Sequence, residues 1–174
     1  TISTPFSKKW RNKYAEPGIH QYPSEKLTDN FLKTSPFPLP DMAAIGFIRS
    51  DAKIPPREAD ISLIRKYHLT RDFPAVCGTS RMSAHLRFGT ISIRQLVKTT
   101  AEGNDVYLNE LIWREFYMMI LWHFPGVVDR SFKPRYDRIA WRNNEQEFTA
   151  WCEGRTGYPI VDAGMRELNL NGFM

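Results

Sequence analysis

The stretch LNELIWREFYMMILWHF at residues 108–124 constrains this chain more than any other feature. It is long enough for roughly four to five helical turns and is apolar nearly all round. A helix with that pattern lies inside a protein. Yet Glu110 and Arg114 stand in its middle, and charged side chains are almost never fully buried without a partner. At about 100° per residue, Tyr107, Glu110, Trp113, Arg114 and Tyr117 share one side about 120° wide. Leu108, Leu111, Ile112, Phe116, Met119 and Trp122 take the other faces. One reading is an intrahelical Glu110–Arg114 pair covered by core aromatics. The other is a site for a flat, polar, anionic ligand. There Trp113 stacks, Glu110 accepts hydrogen bonds from N–H groups and Arg114 holds phosphate. A buried ion pair is no general route to stability, which favours the ligand reading.

The chain around this helix is suited to a packed core. Of its 174 residues 42% are apolar and 25% charged, which excludes wholesale disorder. Aromatics make up 13%, with five Trp, and serve equally as core or as stacking platforms. A net charge of +5 suits a polyanionic partner. Cys77 and Cys152 are the only cysteines, too few for a disulfide framework and consistent with a reducing compartment. The four His are scattered without ligand spacing, so no metal site is expected. Neither a run of about 18 apolar residues nor a signal peptide occurs. The composition describes an intracellular, soluble protein.

Residues 1–50 are rich in Pro and Gly, as in AEPGIHQYPSEK and SPFPLPDM, and lack sustained periodicity. They read as an extended linker or wrapping arm, with Phe6 and Trp10 as anchors. Residues 51–174 read as helical. PPREADISLIRKYHL places Pro in a first turn and repeats Ile61, Ile64 and Leu69. TSRMSAHLRFG opens with hydroxyls and closes on Gly89. In SIRQLV, Ser92 and Gln95 form a capping box. The central helix is expected over 104–124. PIVDAGMRELNLNG starts at Pro159, pairs Asp162 with Arg166 and stops at Gly172. No segment alternates with period two, so the fold class is all-α.

The run Gly78-Thr79-Ser80-Arg81-Met82-Ser83 brings three hydroxyls, a guanidinium and backbone N–H groups to a helix start. Phosphate binding needs such donors at the positive end of a helix. Ordinary N-capping by Thr79 or Ser80 is the competing reading and remains open. Arg71 either meets a nucleic-acid backbone or pairs with Asp72. Tyr67 either covers a ligand or belongs to the core.

Three stretches in the same order, RDFPAVCGTSRMSAHLRFGTISIRQL, YLNELIWREFYMMILWHFP and WCEGRTGYPIVDAGMRELNLNGFM, resemble the FAD-binding region of DNA photolyases and cryptochromes. The likeness runs over roughly residues 60–174, and ISTPFSKKW resembles the segment leading out of that family's N-terminal antenna domain. It implies the N-terminal half of a multi-helical domain that holds FAD folded into a U at the bottom of a cavity. Photolyases use light to pass an electron from reduced flavin to a cyclobutane pyrimidine dimer flipped out of DNA, base flipping being common to enzymes that act on a base within a duplex.

By this resemblance Tyr67, Tyr107, Thr79, Ser80, Arg81, Met82, Ser83 and Arg114 contact FAD. Glu110 and Trp113 grip the dimer, and Arg71, Arg114 and Tyr117 lie towards DNA. Trp141 matches the outermost member of the tryptophan relay that carries electrons to the flavin. The implied partner is DNA containing pyrimidine dimers, and the implied whole protein is a monomeric deoxyribodipyrimidine photo-lyase. A cryptochrome, which signals without repair, is the alternative within the family, and a cofactor-free nucleic-acid-binding module is the alternative outside it. A second chromophore, of folate or deazaflavin type, is expected only in the antenna domain, which precedes the region matched here. Family members also continue past the residue matching Met174, so the chain alone is expected neither to hold FAD tightly nor to repair DNA.

Overall fold

The computed structural model describes residues 3–16, 20, 22–51, 53–101 and 103–172. In chain order the helices are α1 (Ser3–Ala15), α2 (Ile61–Thr70), α3 (Ser83–Phe88), α4 (Ile93–Ala101), α5 (Asp105–His123), α6 (Glu145–Cys152) and α7 (Pro159–Asn171). Short 3-10 turns lie at Ser24–Asn30, Pro125–Val128 and Pro134–Arg138. Among the described residues there is no strand, as the lack of period-two alternation implies, and no helix is long and apolar enough to cross a membrane.

Side-chain caps set several of these boundaries. Asn104 accepts from the backbone N–H groups of Val106 at 3.0 Å and Tyr107 at 3.1 Å, starting α5. The helix ends at Phe124, before Pro125. Asp60 caps α2 in the same way, accepting from Ser62 at 2.8 Å and Leu63 at 3.1 Å. That helix therefore starts later than Pro55. A residue followed by proline is driven out of the helical region, and Pro55 precedes Pro56. Ser92 caps α4 through the Gln95 N–H at 3.3 Å. Gly89 and Gly172 close α3 and α7 in the left-handed conformation, each at φ 65°.

The axis of the fold is α5, on which α1, α2 and α4 pack. Ile64, Leu96, Val97, Tyr107, Leu108, Leu111 and Ile112 form the core between them. Ile64 and Ile112 are 1% and 2% exposed. Helices α6 and α7 pack against each other. Asp162 does not form the expected pair with Arg166. Its carboxylate instead accepts from the Thr156 N–H and hydroxyl and from the Gly157 N–H.

The N-terminal segment departs from the extended reading over Ser3–Ala15, which is helical. Phe6, Trp10 and Tyr14 recur every four residues and make one apolar stripe. That stripe docks on α5: the Phe6 and Phe116 rings meet edge to face at 5.4 Å. The Trp10 indole donates to Glu115 at 2.7 Å, and Arg11 pairs with Asp105 at 2.5 Å. Phe6 and Trp10 are thus anchors, but of a helix. The described part of 31–60 has neither helix nor strand and is largely exposed.

Candidate functional site

A cavity of about 880 Å³ opens between α2, the segment 79–83, α3 and α5. Its wall begins at the end of α2. A Cβ on Gly78 would lie 2.6 Å from the Thr70 Cβ and 2.8 Å from the Thr70 carbonyl oxygen. Only glycine lets the chain pass so close, and the Thr70 hydroxyl fastens it by donating to the Gly78 carbonyl at 3.2 Å. Held there, Thr79, Ser80, Arg81, Met82 and Ser83 all line the cavity. Arg81 takes a left-handed backbone, φ 53°, which non-glycine residues rarely adopt, and Met82 is buried.

Neither Thr79 nor Ser80 caps α3. Met82 occupies the cap position and no side chain bonds the helix start there. Ser80 instead shares a hydrogen bond of 2.8 Å with the Tyr107 hydroxyl. Tyr67 meets Tyr107 edge to face, ring centroids 5.1 Å apart. Burial pushes the Tyr107 phenol above its ordinary pKa, with the Ser80 bond working against it. Burial and then the nearby Glu110 push Tyr67 up as well. Both stay neutral phenols at physiological pH, able to donate.

Glu110 and Arg114 also line the cavity, but they do not pair with each other. Arg114 donates to the Leu86 carbonyl at 3.2 Å, and Glu110 forms an ion pair with Arg71 from the end of α2. Arg81 pairs with Glu167 of α7 at 3.4 Å. With Arg81, Arg87 and Arg114 against the single carboxylate of Glu110, the lining is basic. It is hydroxyl-rich at one end and aromatic or aliphatic elsewhere.

The expected single face is therefore divided. The cavity collects Tyr67, Thr79–Ser83, Tyr107, Glu110 and Arg114 and leaves out Arg71, Trp113, Tyr117 and Trp141. Taking Tyr107 as zero, Glu110 and Arg114 lie about 60° and 20° to one side, and Met118 and Trp122 about 20° and 60° to the other. Trp113 lies a further 60° or so beyond Glu110, which turns it away. Its ring stacks on Tyr117 at 5.6 Å and meets Phe116 edge to face at 5.4 Å. It borders a separate groove of about 360 Å³ with Phe6 and Arg11 of α1. Trp141 is 71% exposed, in the connection before α6. Conversely, Arg87, Leu111, Met118, Leu121 and Trp122 line the cavity without having been singled out for it. The signal for the last four is their angle around α5 on either side of Tyr107. Among the described residues no group of three or more His, Cys, Asp or Glu is placed to hold a metal ion.

Known proteins share the sequence and fold of this chain over much of its length. The sequence pattern of the FAD binding domain of DNA photolyase matches residues 107–174. Over 99% of its length the chain is 38% identical to the deoxyribodipyrimidine photo-lyase of Escherichia coli (strain K12), of which it spans 40%. It is 34% identical over its whole length to the deoxyribodipyrimidine photo-lyase of Halobacterium salinarum, spanning 41% of it. A crystal structure of a bacterial class III photolyase from Agrobacterium tumefaciens superposes with a TM-score of 0.60 at 37% identity, over 66% of this chain and 26% of that one. The chain thus spans about two fifths of the length of those two photo-lyases. The convergence of the 79–83 segment with the polar side of α5, and an alignment that spans nearly the whole chain, point the same way: the chain is similar to part of the DNA photolyases, and its residues 107–174 match their FAD-binding domain.

Proposed function

We propose that this chain forms part of a light-driven DNA-repair enzyme that holds FAD in the cavity between α2, residues 79–83 and α5, and splits cyclobutane pyrimidine dimers. The observation that carries this reading is the convergence of Tyr67, Thr79–Ser83, Tyr107, Glu110 and Arg114 on one cavity. At about 880 Å³ it falls within the range usual for cofactor sites, roughly 300–1,000 Å³. The lining fits the cofactor's chemistry. Three hydroxyls with Arg81 and Arg114 suit a diphosphate, while Tyr67, Tyr107 and the neighbouring leucines suit a flat ring system.

When bound, the flavin supplies the photoexcited electron. The work of this chain's own residues is positional. Ser80 fixes the Tyr107 hydroxyl. Glu110 offers a carboxylate to the N–H groups of a neutral pyrimidine pair, which presents no charge to be gripped. Trp113 and Tyr117 stack on each other outside the cavity, so their aromatic planes reach the lesion only if it extends past Glu110 round α5. Trp141, exposed at the surface, would serve as the electron entry point.

The test uses the intact protein, blue light and an oligonucleotide bearing a thymine dimer. Wild type removes the dimer only under illumination. Glu110→Ala loses a charge-assisted hydrogen bond of about 1.5–3 kcal/mol, so repair falls roughly ten- to hundredfold while bound flavin absorbance is unchanged. Absence of light-dependent repair in wild type overturns the reading in favour of a signalling flavoprotein.

A further inference from the structure

We infer that Asn104 is a positioning residue for the flavin site, holding Tyr67 against Tyr107 by fastening α2 to the start of α5. The inference rests on the cofactor reading proposed above. Asn104 is 7% exposed, and both polar atoms of its carboxamide are fully engaged. Its Oδ1 accepts from the N–H groups of Val106 and Tyr107. That pairing fixes which end of the amide is oxygen, because a backbone N–H only donates. The nitrogen therefore turns towards α2. There Nδ2 donates to the Arg65 carbonyl at 3.1 Å and to His68 Nδ1 at 2.8 Å. An amide nitrogen does not accept, so His68 Nδ1 carries no hydrogen and the neutral ring keeps its hydrogen on Nε2.

Capping alone does not call for these contacts, since Ser and Asp cap a helix as well as Asn does. What Asn adds is a pair of donors long enough to reach the neighbouring helix. They land on Arg65 and His68, two residues before Tyr67 and one after it. One carboxamide thus ties the backbone of Tyr107 to α2 on both sides of Tyr67. The two tyrosine rings stand at 86° to each other, and both line the cavity. Sliding α2 along α5 would part them and reshape the wall offered to a flat ring. Asn104 and His68 themselves lie outside the lining, so they act on a ligand only through the residues they hold.

The test separates positioning from ordinary capping. FAD affinity of the intact protein is measured, well below the melting range, for wild type, Asn104→Ser, His68→Ala and the double variant. The serine keeps an acceptor for the helix start but cannot span to α2. Ser92→Ala, which removes the cap of α4, controls for the loss of a cap elsewhere. Asn104→Ser is expected to weaken FAD binding about tenfold, the worth of one to two hydrogen bonds, and His68→Ala about threefold. The double variant loses no more than Asn104→Ser. Ser92→Ala lowers the melting temperature and leaves FAD affinity unchanged. A readout without cofactor is nitrogen NMR of the His68 ring at about pH 8, where histidine is neutral: Nδ1 is expected bare in wild type. A hydrogen on Nδ1 there overturns the inference alone. So does undiminished affinity in either single variant, or a loss of affinity that Ser92→Ala reproduces. A wild-type protein that binds no FAD removes the cofactor reading and this inference together.

Discussion

Asp162 shows how a residue can be identified from sequence while its partner is not. Its spacing from Arg166 fits a helical ion pair. The carboxylate is 6% exposed, though, and its oxygens accept from the Thr156 hydroxyl at 2.6 Å, the Thr156 N–H at 2.7 Å and the Gly157 N–H at 3.0 Å. The carboxylate thus closes the GRTGYP turn before α7, using donors that lie outside the helix whose periodicity suggested the pair. Glu110 repeats the lesson: the sequence marks an acid needing a partner, and the partner, Arg71, comes from another helix 39 residues away. These bonds, the Thr156 hydroxyl foremost, hold the Asp162 pKa below its ordinary value of 3.8. A lowered folded-state pKa contributes stability that is complete above the unfolded pKa of about 3.9 and is lost as pH falls through the folded value. Asp162→Asn is therefore expected to lower stability at neutral pH and to flatten the acid limb below about pH 4, read from urea midpoints between pH 3 and 7. Parallel acid limbs in the two proteins would show that Asp162 does not contribute to it.

Between residue and fold stands the junction of α2 with the segment 79–83. Starts and stops of helices were legible at several local devices, Ser92 at α4, Gly89 after α3, Pro159 and Gly172 around α7, whereas the Asp60 cap of α2 is hidden behind the more prominent Pro55–Pro56. The role of Gly78 was not legible, because it depends on an approach to Thr70 that no local pattern encodes. An added methyl there meets both the side chain and the backbone oxygen of Thr70 below 3.0 Å, so α2 and the cavity wall must part. Overpacking of this kind costs about 1–3 kcal/mol. Gly78→Ala should show that loss in thermal unfolding together with weaker flavin retention, since the displaced segment carries Thr79–Ser83. A Gly78→Ala protein within about 0.5 kcal/mol of wild type would mean the junction yields freely.

Across the molecule, α5 serves two different neighbours on two sides. Tyr107, Glu110, Leu111 and Arg114 line the cavity, while Asn109, Ile112, Trp113 and Phe116 border the groove against α1. The apolar character of α5 all round, visible in the sequence, follows from this double burden. The docking of α1 was obscured for the opposite reason. Its stripe of Phe6, Trp10 and Tyr14 is short and is followed by Pro and Gly, and the face it covers lies about a hundred residues away, as in the Trp10–Glu115 bond. Because no hydrogen bond joins the two sides of α5 among the described residues, loosening one is expected to leave the other intact. Trp10→Ala removes the indole bond to Glu115 and the stack on Tyr14 at 5.4 Å. For a partly buried ring this amounts to about 1–3 kcal/mol, below the 3–5 kcal/mol of a fully buried one. Amide exchange should accelerate across Ser3–Ala15 and along the outer edge of α5, with protection around Tyr67, Met82 and Tyr107 maintained. Equal loss of protection at both places would mean that α1 and the cavity open as one cooperative unit, and that the N-terminal helix is as much a part of the site's support as the residues that line it.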